Sequence, residues 1–197
     1  MEKLCKGDKI ALIAPSAQIG SIAKIEKGLN FLQSLGFEAV FAPHLYEVRR
    51  YMAGTDKERA EDVNWAFAQS DIKAVFCVRA AAGASRILPY IDYELIKQNS
   101  KPLVGFCDNV ALMLALNKKS GAISWNGFLP TYDFREDILN PLVEKSLRQL
   151  ISGEPYKIVS GSTLRVGKAE GTFLCSNLSV LMKLAGTPYF PDLRGKI

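Results

Sequence analysis

Three near-continuous apolar runs, separated by segments of helical periodicity, constrain this chain more than any other feature. Residues Lys9 to Ala14, Ile72 to Val78 and Leu103 to Phe106 carry too few polar side chains to leave one face in water. Strands of that kind are covered on both faces, as in a parallel sheet flanked by helices. Between them the apolar spacing changes to three and four. Ile22, Ile25, Leu29 and Leu32 mark one helix, which Gly36 ends before a short strand from Phe37 to Phe41. Thr55 is a good N-cap, and Glu58, three residues on, completes a capping box. Ala60, Val63 and Phe67 are the buried stripe of the helix that follows. Val110 to Leu116 is apolar on every side, which predicts a central buried helix. The alternation predicts an α/β fold with a doubly wound, mostly parallel sheet.

After Trp125 the pattern changes. A loop over 126–134 leads to an amphipathic helix through Val143, Leu147 and Leu150. A strand is expected near Tyr156 to Val159, residues 163–175 read as irregular strands, and a last helix carries Leu178, Leu181 and Leu184. The expected organisation is an N-terminal α/β domain over 1–130, a connecting segment over 131–160, and part of a smaller β-rich C-terminal domain over 161–197.

Charge and cysteine usage narrow the function classes. The net charge is +5, but the Lys and Arg residues are scattered and many have acids nearby, as with Lys57 and Glu61. The densest basic spots, Arg49-Arg50 and Lys118-Lys119, are short, so solvated faces are expected rather than a nucleic-acid partner. Cys5, Cys77, Cys107 and Cys175 lack metal-ligand spacing, and His44 is the only histidine, so no metal is expected. The N-terminus has no apolar core of signal-peptide length, and no apolar run is long enough to cross a bilayer. A cytoplasmic protein with reduced thiols and no membrane partner is the reading.

The stretch richest in chemistry is Gly105-Phe106-Cys107-Asp108-Asn109. A strand ends, one residue occupies a tight turn, and a helix begins, which is the geometry of a nucleophile elbow. A helix N-terminus there favours negative charge, and backbone N–H groups just after the elbow can stabilise an oxyanion. The alternative is a small cysteine filling a turn, since cysteine is commonly buried and the glycine expected two residues later is Asn109. Asp108 also reads as a cap for the following helix. The small residues Ala80-Ala81-Ala82-Gly83-Ala84 follow a strand, so they read either as a partner loop for the oxyanion hole or as a well-packed helix start. Alanine resists the positive φ that glycine permits, which makes an unusual turn there harder to form. His44, in an early loop, reads as an ordinary exposed residue rather than a base.

These residues fall in an order that resembles the LD-carboxypeptidases, which include muramoyl-tetrapeptide carboxypeptidases and microcin-immunity hydrolases. The landmarks are Gly7-Asp8-Lys9-Ile10, Ala14-Pro15-Ser16, Tyr51-Met52-Ala53-Gly54-Thr55-Asp56 with Arg59, and Arg79 with Gly83. They continue through Arg86-Ile87-Leu88-Pro89-Tyr90-Ile91-Asp92-Tyr93, Lys101-Pro102, Gly105-Phe106-Cys107-Asp108, Asn177-Leu178-Ser179 and Gly186-Thr187-Pro188. The resemblance implies a metal-free and cofactor-free serine-type peptidase that uses a Ser–Glu–His triad. It would cleave the amide to a terminal D-amino acid in muropeptide-like small peptides, in peptidoglycan recycling, with a homodimer plausible. Carried over by position, Cys107 stands at the nucleophile, and the backbones of Asp108, Ala80 and Ala81 stand at the oxyanion hole.

The departures from the family pattern fall at the chemistry. The serine reads Cys107, the R-G-G-Y-G glycines read Ala80 and Ala81, and the aromatic position reads Ala82. The histidine-glycine-proline reads Asn126-Gly127-Phe128, and G-G-N-L reads Cys175-Ser176-Asn177-Leu178. No residue here matches the triad's Glu or His. Either a truncated and degenerate, inactive copy or an incomplete record of a longer protein would account for this. A truncated copy would also expose apolar surface on its second domain, which would lack strands that its apolar faces need.

Overall fold

Five parallel strands form the centre of the computed structural model: β1 (Lys9–Ile13), β2 (Glu38–Phe41), β3 (Ile72–Cys77), β4 (Leu103–Gly105) and β5 (Ser124–Asn126). The structure describes residues 3–20, 23, 25–133, 139–154, 162–163 and 165–197. The strand order is β2-β1-β3-β4-β5, with every pairing parallel. The chain therefore leaves β1 toward one edge, returns across it, and builds toward the other. Loops after β1 and β3 diverge at that reversal, and open α/β sheets bind ligands at the carboxyl ends of the strands at such a point.

The apolar runs become strands that end one residue earlier than the pattern suggests, at Ile13, Cys77 and Gly105. Side chains of β1, β3 and β4 such as Leu12, Phe76 and Val104 are fully buried. Phe76 meets Phe128 edge to face, with ring centroids 6.2 Å apart.

Helices cover both faces. Helix α1 (Glu26–Ser34) buries Leu29 and Leu32, with Ile25 just ahead of it. Ile22, the fourth residue of the expected stripe, lies outside the described residues. Helix α2 (Asp56–Ala68) opens on the expected capping box: Glu58 N–H donates to Thr55 Oγ1, and Thr55 N–H donates to Glu58 Oε2. The short α3 (Tyr93–Gln98) is capped by Asp92. Helix α4 (Val110–Ser120) buries all of Val110 to Leu116 and stops at Gly121. It is the central helix that the apolar run requires.

Beyond β5, the short α5 (Pro130–Asp133) packs so tightly on α1 that a Cβ at Gly28 would lie 2.7 Å from Pro130. Helix α6 (Pro141–Ser152) buries Leu147 and Leu150 and ends against the N-terminal segment, where Leu4 N–H donates to Ile151 O at 2.9 Å. The strand expected near Tyr156 to Val159 lies outside the described residues. Described residues of 163–175 form a single bridge, Thr172 with Lys196, instead of strands. Val166 and Phe173 are exposed and Leu174 is only partly buried, so the run offers little apolar surface on which a strand could settle. Helix α7 (Leu178–Lys183) packs on Val180, with Leu184 just past its end, and leaves Leu178 in solvent. Among the described residues no helix is long and apolar enough to cross a membrane.

Candidate active site

The turn after β4 is an elbow. Phe106 is extended, Cys107 has φ +60, and residues 107–109 form a single 3₁₀ turn that runs into α4. A positive φ is uncommon outside glycine, and such strain persists only where its surroundings hold it. Here they do. Asn109 Nδ2 donates to Arg79 O at 3.2 Å, and Ser16 Oγ lies 3.3 Å from both Arg79 O and Asn109 Oδ1. Ser16 and Asn109 are fully buried. The loops after β1, β3 and β4 are thus tied at one point, and Asn109 makes the tie where a glycine could not. Gly105 is closely packed, since a Cβ would sit 3.1 Å from Cys77 Cβ and the neighbour would have to give by a few tenths of an ångström.

Cys107 itself is exposed, although Asp108 and Asn109 beside it are buried. The reading of Cys107 as a buried filler is therefore overturned: the positive φ turns its side chain outward while its neighbours face the core. Cys77 is the cysteine that fills space, and full burial pushes its thiol well above the ordinary range.

Asp108 is not the cap of its own helix, because neither the 3₁₀ turn nor α4 has a side-chain cap. Its carboxylate crosses to the neighbouring loop instead. Oδ2 accepts from Ala84 N–H at 2.8 Å, and Oδ1 lies 3.8 Å from Lys183 Nζ of α7. This docks the 80–84 loop against the elbow. Ala80 is half-buried against the core and Ala81 is exposed. The alanines do not take the unusual backbone conformation themselves. The positive φ of this loop, +117, falls on Gly83, where a Cβ would collide with Met52 at 2.7 Å.

A buried arginine holds that glycine. Arg59 Nη1 donates to Gly83 O at 3.0 Å and to Pro15 O at 2.7 Å, and Nη2 pairs with Asp56. Arg86 binds the other Asp56 oxygen through Nε at 3.0 Å and Nη2 at 2.8 Å. Burial pulls the Arg59 guanidinium below its ordinary pKa, with Asp56 opposing. Sequence reasoning marked Arg59 as a landmark but missed its work, and it missed Ser16, Asp56 and Asn109 as parts of one frame. The position of Ser16 directly after the strand-ending Pro15 was the available signal.

His44 needs a correction. It is half-buried, with Nδ1 2.9 Å from Asp62 Oδ1 and its backbone N–H donating to the same oxygen at 3.0 Å. Burial pulls the imidazole down, but the Asp62 hydrogen bond and charge, aided by Glu58 and Glu61, outweigh it and hold the pKa above its ordinary value. Burial also raises Asp62 against the pull of His44. His44 follows β2, three strands from β4, which is about 14 Å at normal strand spacing.

At the far edge, Asn126 pairs in register with Gly105, and its Nδ2 lies 3.0 Å from Cys175 Sγ. The Cys175-Ser176-Asn177-Leu178 segment thus arrives at the same carboxyl edge as the elbow. Among the described residues no three His, Cys, Asp or Glu side chains converge as metal ligands would.

An exposed thiol on a strained turn, at the start of a helix and beside a docked loop, is suited to nucleophilic attack on a carbonyl. The chain is 32% identical over 198 residues to the probable murein peptide carboxypeptidase of Bacillus subtilis, covering 98% of this chain and 62% of that protein. It is 30% identical to the murein tetrapeptide carboxypeptidase of Pseudomonas aeruginosa, covering 91% of this chain and 61% of that protein. The crystal structure of an MccF-like protein from Bacillus anthracis superposes with a TM-score of 0.85 at 26% identity, over 98% of this chain and 67% of that one. The chain spans about 62% of the length of the curated relatives it matches. Residues 10–127, from β1 to the end of β5, match the LD-carboxypeptidase N-terminal domain, and the chain belongs to the LD-carboxypeptidase family.

Proposed function

We propose that this chain acts at the amide bond to a terminal D-amino acid in peptidoglycan-derived peptides, with Cys107 in the nucleophile position. The observation that carries the reading is the exposed Cys107 thiol at φ +60 on the carboxyl edge of the sheet. The names of the relatives, both murein peptide carboxypeptidases, support the substrate class. Backbone N–H groups of Asp108, Ala80 and Ala81 are the proposed oxyanion donors. The first N–H groups of a helix have no intrahelical acceptor, and Asp108 lies at such a start.

In this mechanism Cys107 Sγ attacks the scissile carbonyl carbon, and the carbonyl oxygen takes up negative charge facing the N–H donors. Collapse breaks the C–N bond, releases the D-amino acid and leaves a thioester. Water then cleaves the thioester and restores the thiol. A base must take the thiol proton and pass one to the leaving amine. Among the described residues no side chain is hydrogen-bonded to Cys107 Sγ, and His44 is engaged with Asp62. These 197 residues, tested alone, are therefore expected to bind such peptides and to turn them over slowly or not at all, because loss of a triad base costs orders of magnitude in rate. That same observation favours the second reading, a non-catalytic muropeptide- or partner-binding relative.

Residues 1–130 carry the chemistry in this proposal, 131–160 connect, and 161–197 begin a second domain. A homodimer and a cytoplasmic place in peptidoglycan recycling belong to the same proposal. The test is D-alanine release from a tetrapeptide ending in D-alanine, run beside calorimetric binding of that peptide. Release that Cys107→Ala abolishes supports the hydrolase. Saturable binding without release supports the binding relative. Neither binding nor release overturns both readings.

A further inference from the structure

The hydrolase reading leaves one basic motif without a role. Arg49-Arg50 lies in the loop between β2 and α2, and the fold places it beside two more cations. Arg49, Arg50, Lys57 and Arg86 line one cavity of about 560 Å³, together with Tyr51, Met52, Gly54, Thr55 and Asp56. Asp56 is the single carboxylate in that lining, and it is already taken on one oxygen by Arg59 and on the other by Arg86. Arg49, Arg50 and Lys57 have no ion pair among the described residues. Lys57 and Glu61, although at helical spacing, form no ion pair among the described residues. Glu58 feels the charge of Arg49, but its Oε2 is engaged by Thr55 N–H.

The fold thus brings three cations without an ion pair to one concavity whose single carboxylate is already engaged. Arg50 sharpens the point. The Arg49–Met52 bridge closes a tight turn, with Arg49 N–H donating to Met52 O at 2.9 Å and Met52 N–H to Arg49 O at 3.1 Å. Arg50 sits inside that turn at φ +58, where glycine would be unstrained. Arg50 and Cys107 are the two non-glycine residues with positive φ among the described residues.

We propose that this cavity is an anion site, separate from the elbow, for a small ligand carrying a phosphoryl group. The planar forks of Arg49 and Arg50 suit two oxygens of one tetrahedral group, and Lys57 adds a point charge. A group of two or more negative charges matches the imbalance better than a single carboxylate. The cavity has the size of a small-molecule pocket. The start of α2 is not what recruits the anion, since the Thr55–Glu58 capping box already occupies part of it. The site has a path to the oxyanion loop, because Arg86 reaches Gly83 through Asp56 and Arg59.

The test uses orthophosphate, pyrophosphate and phenyl phosphate on the full chain at constant ionic strength, with chloride as the control anion. Binding is read by calorimetry and by shift of the melting temperature. Saturable binding of pyrophosphate is expected, weakened at least about tenfold in Arg49→Ala/Arg50→Ala, in line with the loss of charge-assisted contacts. Arg50→Gly keeps the turn without strain and should lose affinity while melting no lower, so its loss is not unfolding. Lys118→Ala/Lys119→Ala should bind like the parent. Tighter binding of phenyl phosphate than of orthophosphate would identify an organic phosphate ester as the source, and equal binding a free phosphate. Binding unchanged in the Arg49/Arg50 variants, or a response that chloride reproduces, overturns the proposal. The readout involves no peptide, so it stands or falls apart from the hydrolase reading.

Discussion

Residues 9–126 and residues 165–197 use the same kinds of apolar side chain and bury them to opposite extents. In the first region Phe67, Phe76, Ile10 and Leu12 are fully inside, because the inner strands β1, β3 and β4 are flanked by strands and covered by helices. In the second, Val166 is 92% exposed, Phe173 68% and Leu178 74%. Val180 and Leu184 are its buried members of the core, and Leu174, Leu181, Tyr189 and Phe190 pack against that core only partly buried. A hydrophobic residue is buried only where a second layer meets it, and the five-stranded sheet supplies that layer across the first region, whereas few side chains of the second find one. The polar frame follows the same division. Ser16, Arg59, Asp108 and Asn109 are buried and hydrogen-bonded at the sheet's carboxyl edge, whereas Asp192 and Arg194 pair in solvent.

The comparison can be broken most directly with a pair of phenylalanines. Phe76→Ala should lower the unfolding free energy by about 3–5 kcal/mol, the cost of an aromatic cavity in a close-packed core. Phe173→Ala should change it by less than about 0.5 kcal/mol, as surface substitutions do. Urea denaturation of both variants decides the matter, and equal costs would mean that the two regions fold as one packed unit.

A somewhat smaller effect is expected at the frame. Arg59→Ala leaves Gly83 O and Pro15 O without their donor and should cost about 3 kcal/mol, as removal of one partner from a buried ion pair does. Hydrogen exchange should then accelerate at Ala84, whose N–H is held by Asp108. If exchange at Ala84 stays slow, the arginine stabilises α2 without positioning the loop.

The smallest effect is at the rim, where His44 meets Asp62. Its folded pKa is raised above the ordinary 6.5, so the pair's contribution is fully present below that value. It is lost as pH rises through the folded value. The difference in melting temperature between the parent and His44→Gln should therefore be largest below pH 6.5 and shrink above it. A difference that stays constant from pH 5 to 9 would mean that the imidazole packs there without carrying charge.

Strands β1 to β4 and helices α1, α2 and α4 were legible because their signals are local, whereas the short α3 and β5 were not read. Apolar runs, a capping box and stop glycines act within a few residues, and the structure repeats them to within about one position. Beyond residue 126 the reading weakened for a physical reason: irregular strands have no periodicity of their own. The elbow was legible as a strand-to-helix junction, and the family resemblance lent weight to Cys107 and to the 80–84 loop.

What the sequence by itself determined was therefore the alternation, hence the parallel sheet, and the placing of a cysteine at its carboxyl edge. Tertiary structure alone decided which way Cys107 points, that Asp108 holds Ala84 instead of capping its own helix, and that Arg59 grips the glycine of the facing loop. It also gathered Arg49, Arg50, Lys57 and Arg86 around one cavity. Each of those contacts joins residues separated along the chain, by 24 positions for Asp108 and Ala84 and for Arg59 and Gly83, and by 93 for Ser16 and Asn109. Local propensity carries no information about such pairs, and they exist only once burial has removed the water that would otherwise satisfy them.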